Sequence, residues 1–526
     1  MPKISIFESE ENLHFPFVAV DRVDIKMFDD MTVLQKRIHQ QCVVEGKPLV
    51  ISNMHTLSNW KSDVFDLNHL MRESGGTIID VFDSKDKKII KNQKLADFIQ
   101  VVNTVEEPDC NTVEPFDPGA PDDVLTVEDE RTNTKPQGRG RFNKKRTSLR
   151  KKRALYAKDI SCSKIYQEAL HTVVPEFLLP LGSQDLFACL DKSLRAENLM
   201  CYLGNNGTGT PLHRDICGTF GHNMMTYANP GAYAEWYIVE RHHRKALSQA
   251  LQPRKTNGEE LRQSNGKRVM SSFLESDRAW IFQNMYKNLD LNVKTHVVIQ
   301  RLGDLVLIPS LCYHQVRNAG VSMKVAWNRS TAHTLRLALE DQLPIYRKIV
   351  RPEIYRCKAM VLYTLRKWMD TITSYQLAKG KKSIAQALPT LLQNKNVFLE
   401  DCRILLHLYE TQVIAPEIIE SIELEGVDCS GIVLDNRSGY DAYTSTCDFC
   451  QCDIFYRYYH CDMCEGYDLC LDCYSQGRSC QHMDQMVMHQ CSAETLEEYL
   501  GVYTNFIQCV NKVFNEKCLF SRLTSE

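Results

Sequence analysis

Three Cys-x2-Cys pairs near the C-terminus constrain this chain more than any other feature. They are Cys447/Cys450, Cys461/Cys464 and Cys470/Cys473, and His482 and His489 follow them. A Cys-x2-Cys turn sets two thiolates on one side of a tight loop and so supplies half of a tetrahedral metal site. Six cysteines and two histidines give eight ligands, the number two four-coordinate zinc ions need. A segment this short has too little apolar surface to fold without a staple, which speaks against a chance clustering of core cysteines. The end of the motif is crowded: Cys480, His482, His489 and Cys491 compete for the last two ligand places, and Cys452 lies near the first pair.

Cysteine usage elsewhere agrees with a metal. Of 21 cysteines, nine fall between Cys447 and Cys491. The first residues, MPKISIFESEENLHF, lack the apolar core of a signal peptide. A reducing compartment is therefore expected, in which clustered cysteines hold metal and scattered ones are buried thiols. No run is apolar enough for a membrane span. The net charge of -3 excludes a polycation, so any nucleic-acid contact must be local.

Composition divides the 526 residues into six parts. Residues 1–104 read as mixed α/β, with PLVISNM and GTIIDVF as strands and Met31 to Gln41 as a helix. Residues 105–153 are acidic and then basic, with few apolar residues, and are expected to be a disordered insertion. Eleven Lys and Arg lie between Arg131 and Arg153. They read either as a solvated linker or as a nuclear import signal and nucleic-acid contact. Residues 154–340 carry short strand-like runs (NLMCYL, HVVIQ, DLVLIPS, MKVAWN) that suit a β-sandwich or barrel, with a polar insertion at 241–270. Residues 341–430 are helical, 440–495 hold the cysteine module, and 496–526 form a helical tail.

A second chemical signal is His213-Arg214-Asp215. On a strand, residues i and i+2 share a face, so both side chains can reach one metal. A 2-His-1-carboxylate iron site needs one more histidine from a distant strand and leaves positions open for other ligands. The candidates are His222, His242, His243, His296, His314 and His333. His314 leads because it follows the apolar run DLVLIPS, while His222 and His333 also read as ordinary core or surface histidines.

Two resemblances bring these signals together. The text YRYYHCDMCEGYDLCLDCYSQG resembles the ZZ-type zinc finger. That implies one zinc on the first and third cysteine pairs and another on the second pair with His482 and His489. It also implies a protein-peptide partner such as a histone tail. Arg195 to Asn328 resembles the JmjC family of 2-oxoglutarate oxygenases, through the T-P-x-H-x-D run, the Gly303-Asp304 turn and Ala326-Trp327-Asn328. GKPLVISNM through KLADFIQ resembles the N-terminal extension of such proteins.

The JmjC resemblance implies a double-stranded β-helix, a jelly-roll relative that is mainly β with added helices. It implies Fe(II) on His213, Asp215 and His314, and 2-oxoglutarate against Thr210 and Asn223. The lysine that holds the distal carboxylate in such proteins should stand two residues before Trp236, where this chain has Ala234. A dicarboxylate buried without a cation is costly. Lys324 is the substitute, since it shares the parity of His314 if one strand joins them. A JmjC domain with a ZZ finger resembles fungal nuclear proteins and implies a histone methyl-lysine demethylase. The alternatives are a protein hydroxylase of the same family and an inactive JmjC/ZZ chromatin scaffold.

Overall fold

The apolar runs of the central region become strands because their residues are buried on both faces, which favours continuous Val, Ile and Leu. The computed structural model describes residues 13, 15–84, 86–104, 153–251, 280–281, 293–379, 388–419, 432–435, 445–515 and 517–519. In chain order its first strands are β1 (Phe17–Ala19), β2 (Asp21–Asp24), β3 (Leu49–Ser52), β4 (Ile78–Asp83), β5 (Lys88–Lys94) and β6 (Leu155–Ser161). Then follow β7 (Met200–Gly204), β8 (Gly209–His213), β9 (Phe220–Ala228), β10 (Tyr233–Val239), β11 (Thr295–Gln300), β12 (Leu305–Ile308), β13 (Tyr313–Ala319) and β14 (Ser322–Arg329).

The eight strands β7 to β14 form two facing sheets of a jelly roll. One sheet has the order β7-β14-β9-β12 at its centre, and the other β8-β13-β10-β11, with every neighbour antiparallel. This is the double-stranded β-helix. The N-terminal residues widen it: β3 and β2 extend one edge, β6, β4 and β5 the other, and β1 runs parallel to β11. The Gly303 turn shows why a glycine stands there. Its φ is +78°, and an added Cβ would strike His55 of the N-terminal segment. The next residue, Asp304, pairs with Arg22 at 2.9 Å.

The helices after the roll are Ala332–Leu337, Leu343–Ile349, Cys357–Lys379 and Lys395–Leu408, with π-helical stretches at Ala338–Gln342 and Tyr409–Ile419. Their apolar core takes in Phe187 and Cys217 from the roll side. It also takes in Phe455, Tyr456 and Cys491 of the cysteine-rich module, and Tyr499, Tyr503 and Phe506 of the last helix, Ala493–Phe514. Polar ties reinforce this core. Glu353 N donates to Cys450 O at 2.9 Å, and Glu417 Oε2 accepts from Phe455 N and Tyr456 N at 2.8 Å each. The module and the helices therefore pack as one unit.

The acidic-then-basic insertion, residues 105–152, lies outside the described residues, as does most of the 241–270 insertion beyond helix Arg244–Ala250. Among the described residues no helix is long and apolar enough to cross a membrane.

Candidate metal centres and cosubstrate pocket

Strand register builds the first centre. β8 and β13 pair so that His213 and His314 stand directly opposite each other, with rings 4.2 Å apart. His314 thus lies within β13 and not merely after a strand. Asp215 sits just past the end of β8 in extended backbone, and its Oδ1 is 3.9 Å from His314 Nε2. One donor atom from each of the three lies within 4.8 Å of the others. Gly221 makes room for this, since a Cβ there would overlap the Asp215 carboxylate.

The electrostatics suit a cation. His213 Nδ1 lies 2.8 Å from Pro211 O, and His314 Nδ1 lies 3.2 Å from Cys312 O. A carbonyl can only accept, so each Nδ1 carries the proton and each Nε2 offers its lone pair. Burial holds His314 down at about 4, so its imidazole is neutral at ordinary pH. Burial pushes Asp215 up to about 6, against the pull of His213. Two imidazole nitrogens and one carboxylate are the donor set of a facial iron site, so the residues fit the metal.

The other candidate histidines have different work. His222 stacks on Trp327 at 5.1 Å, its Nδ1 faces Phe220 O, and its Nε2 accepts from Arg329 Nε at 3.0 Å. His296 bonds Glu240 at 2.7 Å, and His242 lies 3.4 Å from the same carboxylate with its ring 4.0 Å from that of His243. His333 faces Glu400 at 3.6 Å.

The triad opens into a cavity of about 220 Å³ between the two sheets. Thr210, Asn223 and Lys324 all line it. The route to Lys324 differs from the parity argument. β13 and β14 belong to different sheets, and Lys324 reaches the cavity from the sheet facing His314. Ala234 is buried inside the roll and pairs across β13 with Asn318. Lys324 Nζ donates to the Oδ1 of that same Asn318. The cation therefore arrives beside position 234 from the opposite sheet. Burial, helped by Lys158, lowers Lys324 to about 7. Asn223 Oδ1 takes Nε2 of Gln300 at 3.3 Å.

Sequence reading missed the aromatic and charged rim. Tyr156, Lys158, Asp159 and Tyr202 line the cavity, the first three delivered by β6, which lies outside the eight-stranded roll. Tyr156 hydrogen-bonds Thr210, and burial pushes its phenol up to about 12. Only a pairing of β6 with β7, which no local motif announces, could have pointed to them.

In the cysteine-rich module, a small sheet of β15 (Ile432–Leu434), β16 (Arg457–Cys461), β17 (Asp468–Leu469) and β18 (Met486–Gln490) frames two tetrads. Cys447, Cys450, Cys470 and Cys473 form one, fully buried; Cys450 Sγ and Cys470 Sγ are 3.8 Å apart. The first and third pairs thus come together. The second tetrad is Cys461, Cys464, Cys480 and His482, with Cys480 Sγ 3.4 Å from Cys461 Sγ and His482 Nδ1 3.4 Å from Cys464 Sγ.

This corrects the expected role of His489. β18 pairs with β16 so that Met486, not His489, stands opposite Cys461. His489 is three residues further along, roughly 10 Å away at strand rise. Its ring lies against Tyr458 and His460 instead. Cys491 turns its thiol to Phe455 O in the helical core, and Cys452 is buried beside Cys450 outside the tetrad.

Comparison with known proteins agrees with the fold. Residues 200–329 match the family model described as "JmjC domain, hydroxylase", so the eight-stranded roll is a JmjC domain. The chain is also similar to a protein of Dictyostelium discoideum named C-module-binding factor A, at 29% identity over 368 residues. That match covers 67% of this chain but 34% of the relative, so the chain spans about a third of that protein's length.

Proposed function

We propose that this protein is an Fe(II)/2-oxoglutarate-dependent oxygenase that acts on a protein side chain, with histone methyl-lysine as the leading substrate. The observation that carries the reading is the convergence of His213, Asp215 and His314 at one end of a cavity that also holds a buried lysine. When bound, iron supplies the site that couples decarboxylation of 2-oxoglutarate by dioxygen to hydroxylation of a C–H bond. On an N-methyl group that hydroxylation ends in loss of formaldehyde, and on other carbons it leaves a stable alcohol.

The chain's own residues do the rest. His213, Asp215 and His314 would hold the metal. Lys324, backed by Asn318, would neutralise the distal carboxylate of the cosubstrate, with Thr210 and Tyr156 hydrogen-bonded alongside. Trp236 and Val316 keep the cavity wall apolar around the reacting centre. Lys324 supports turnover over an inactive scaffold, because it supplies the charge absent at Ala234.

The two tetrads would each hold one zinc, and the module, a ZZ-like finger, would bind a protein tail. A nuclear location is supported by the basic segment.

The test is succinate release from purified full-length protein supplied with iron(II) and 2-oxoglutarate. Release is expected, and His213→Ala should abolish it. Unchanged release in that variant would sink the iron assignment. Mass spectrometry of methylated histone peptides would then show loss of a methylene-equivalent mass for demethylation, or gain of one oxygen for hydroxylation.

A further inference from the structure

The H-x-D motif does not itself hold Asp215 in place. Asp215 heads a short turn, Ile216–Gly218, in which Cys217 takes the left-handed φ of 51° and Gly218 one of 58°. The support for this turn comes from Gln342, 127 positions away in sequence. Gln342 is fully buried and ends the π-helical stretch Ala338–Gln342. Its Nε2 donates to the main-chain carbonyl of Asp215 at 3.0 Å, and its Oε1 accepts from Gly218 N. One amide thus brackets both ends of the turn. From the other side, the Ser310 hydroxyl donates to Gly218 O. A Cβ at Gly218 would press on the backbone of Ala338, so the turn and the π-helical stretch are in direct contact.

We infer that Gln342 is a positioning residue for the metal centre, fixing the Asp215 carboxylate against His213 and His314 through the turn it brackets. The inference rests on the proposed reading of those three residues as iron ligands. An amide side chain presents a donor and an acceptor side by side without titrating, as Asp215 O and Gly218 N require. π-Helical turns insert one residue into a helix and recur at functional sites, and here the stretch ends on the residue that bonds the turn. The helices after the roll thereby belong to the metal centre, which gives a chemical role to a region whose sequence shows only amphipathic spacing.

The experiment uses full-length protein with its zinc sites filled and reads cobalt(II) binding by visible absorption, which reports the ligand field without turnover. Wild type should bind one cobalt(II) that His213→Ala loses. Gln342→Leu should weaken that site roughly 10- to 100-fold, the range for partners that orient metal ligands, and shift its absorption bands. Measured at a pH where its carboxyl is ionised, Gln342→Glu keeps the acceptor for Gly218 N but loses the donor to Asp215 O, so its affinity should fall between the two. Zinc content and thermal melting report whether each variant is folded, and if Gln342→Leu is not, Gln342→Glu carries the test. Wild-type affinity and spectrum in a folded Gln342 variant would overturn the inference. Cobalt(II) that fails to bind wild type, or that persists in His213→Ala, would overturn the iron reading beneath it.

Discussion

The two kinds of candidate metal centre in this protein are held in opposite ways. In the JmjC pocket the donors hang from a roll whose core, mostly Val and Ile, is complete without them, and register alone sets His213 against His314. In the cysteine module the ligands are themselves the core: Cys447, Cys450, Cys470 and Cys473 make up half of the eight buried residues of its cluster. A metal in the first place is a guest of the fold, and in the second it is part of the fold.

That contrast can be broken most sharply at Cys450. Its carbonyl accepts from Glu353 N at the helical core, so loss of zinc there should propagate. Cys450→Ser is expected to lower zinc by one per chain and to destabilise the protein by several kcal/mol, since structural zinc binding is folding free energy. Cys464→Ser, in the more exposed tetrad, should also lose a zinc but with a much smaller drop in melting temperature. His213→Ala should leave melting nearly unchanged. Equal melting temperatures for all three variants would erase the distinction.

The next effect in size concerns Lys324. Lys324→Ala should weaken 2-oxoglutarate roughly 10- to 100-fold, the worth of one charged hydrogen bond. Its pH dependence has a definite sign. Burial holds the free Lys324 at about 7, and a bound dicarboxylate raises it. Above pH 7 binding must therefore take up a proton, and affinity should fall as pH rises. Calorimetric titration across that range checks it, and a slope that persists in Lys324→Ala would assign the proton elsewhere. The smallest effect is expected at His489. His489→Ala should leave zinc content at the wild-type value, whereas His482→Ala should lower it, and the reverse result would restore the spacing-based assignment.

What the chain reveals before folding follows the same divide. The Cys-x2-Cys pairs and His213 of the T-P-x-H-x-D run are legible because their geometry is local: a tight turn or a strand places these donors at once. His314 is legible from its apolar run, although it sits inside the following strand. Lys324 does not share a strand with His314, since β13 and β14 lie in different sheets, yet it lines the cavity because the sheets face each other. Cys480 and His482 could not be told from His489 and Cys491, because β18 register decides among them. Gln342 left no trace at all in the sequence, being joined to Asp215 only through the packing of a helix on a turn.

The shared core of Phe455, Tyr456, Cys491 and the helices has one more consequence. A finger on a loose tether would raise the local concentration of any tail without caring where along it the chemistry fell. A finger locked into the body of the molecule works as a ruler. If the module grips a protein tail as proposed, the number of residues between the gripped end and a side chain at the cavity would be fixed by the fold, and target choice would become a question of length as much as of composition.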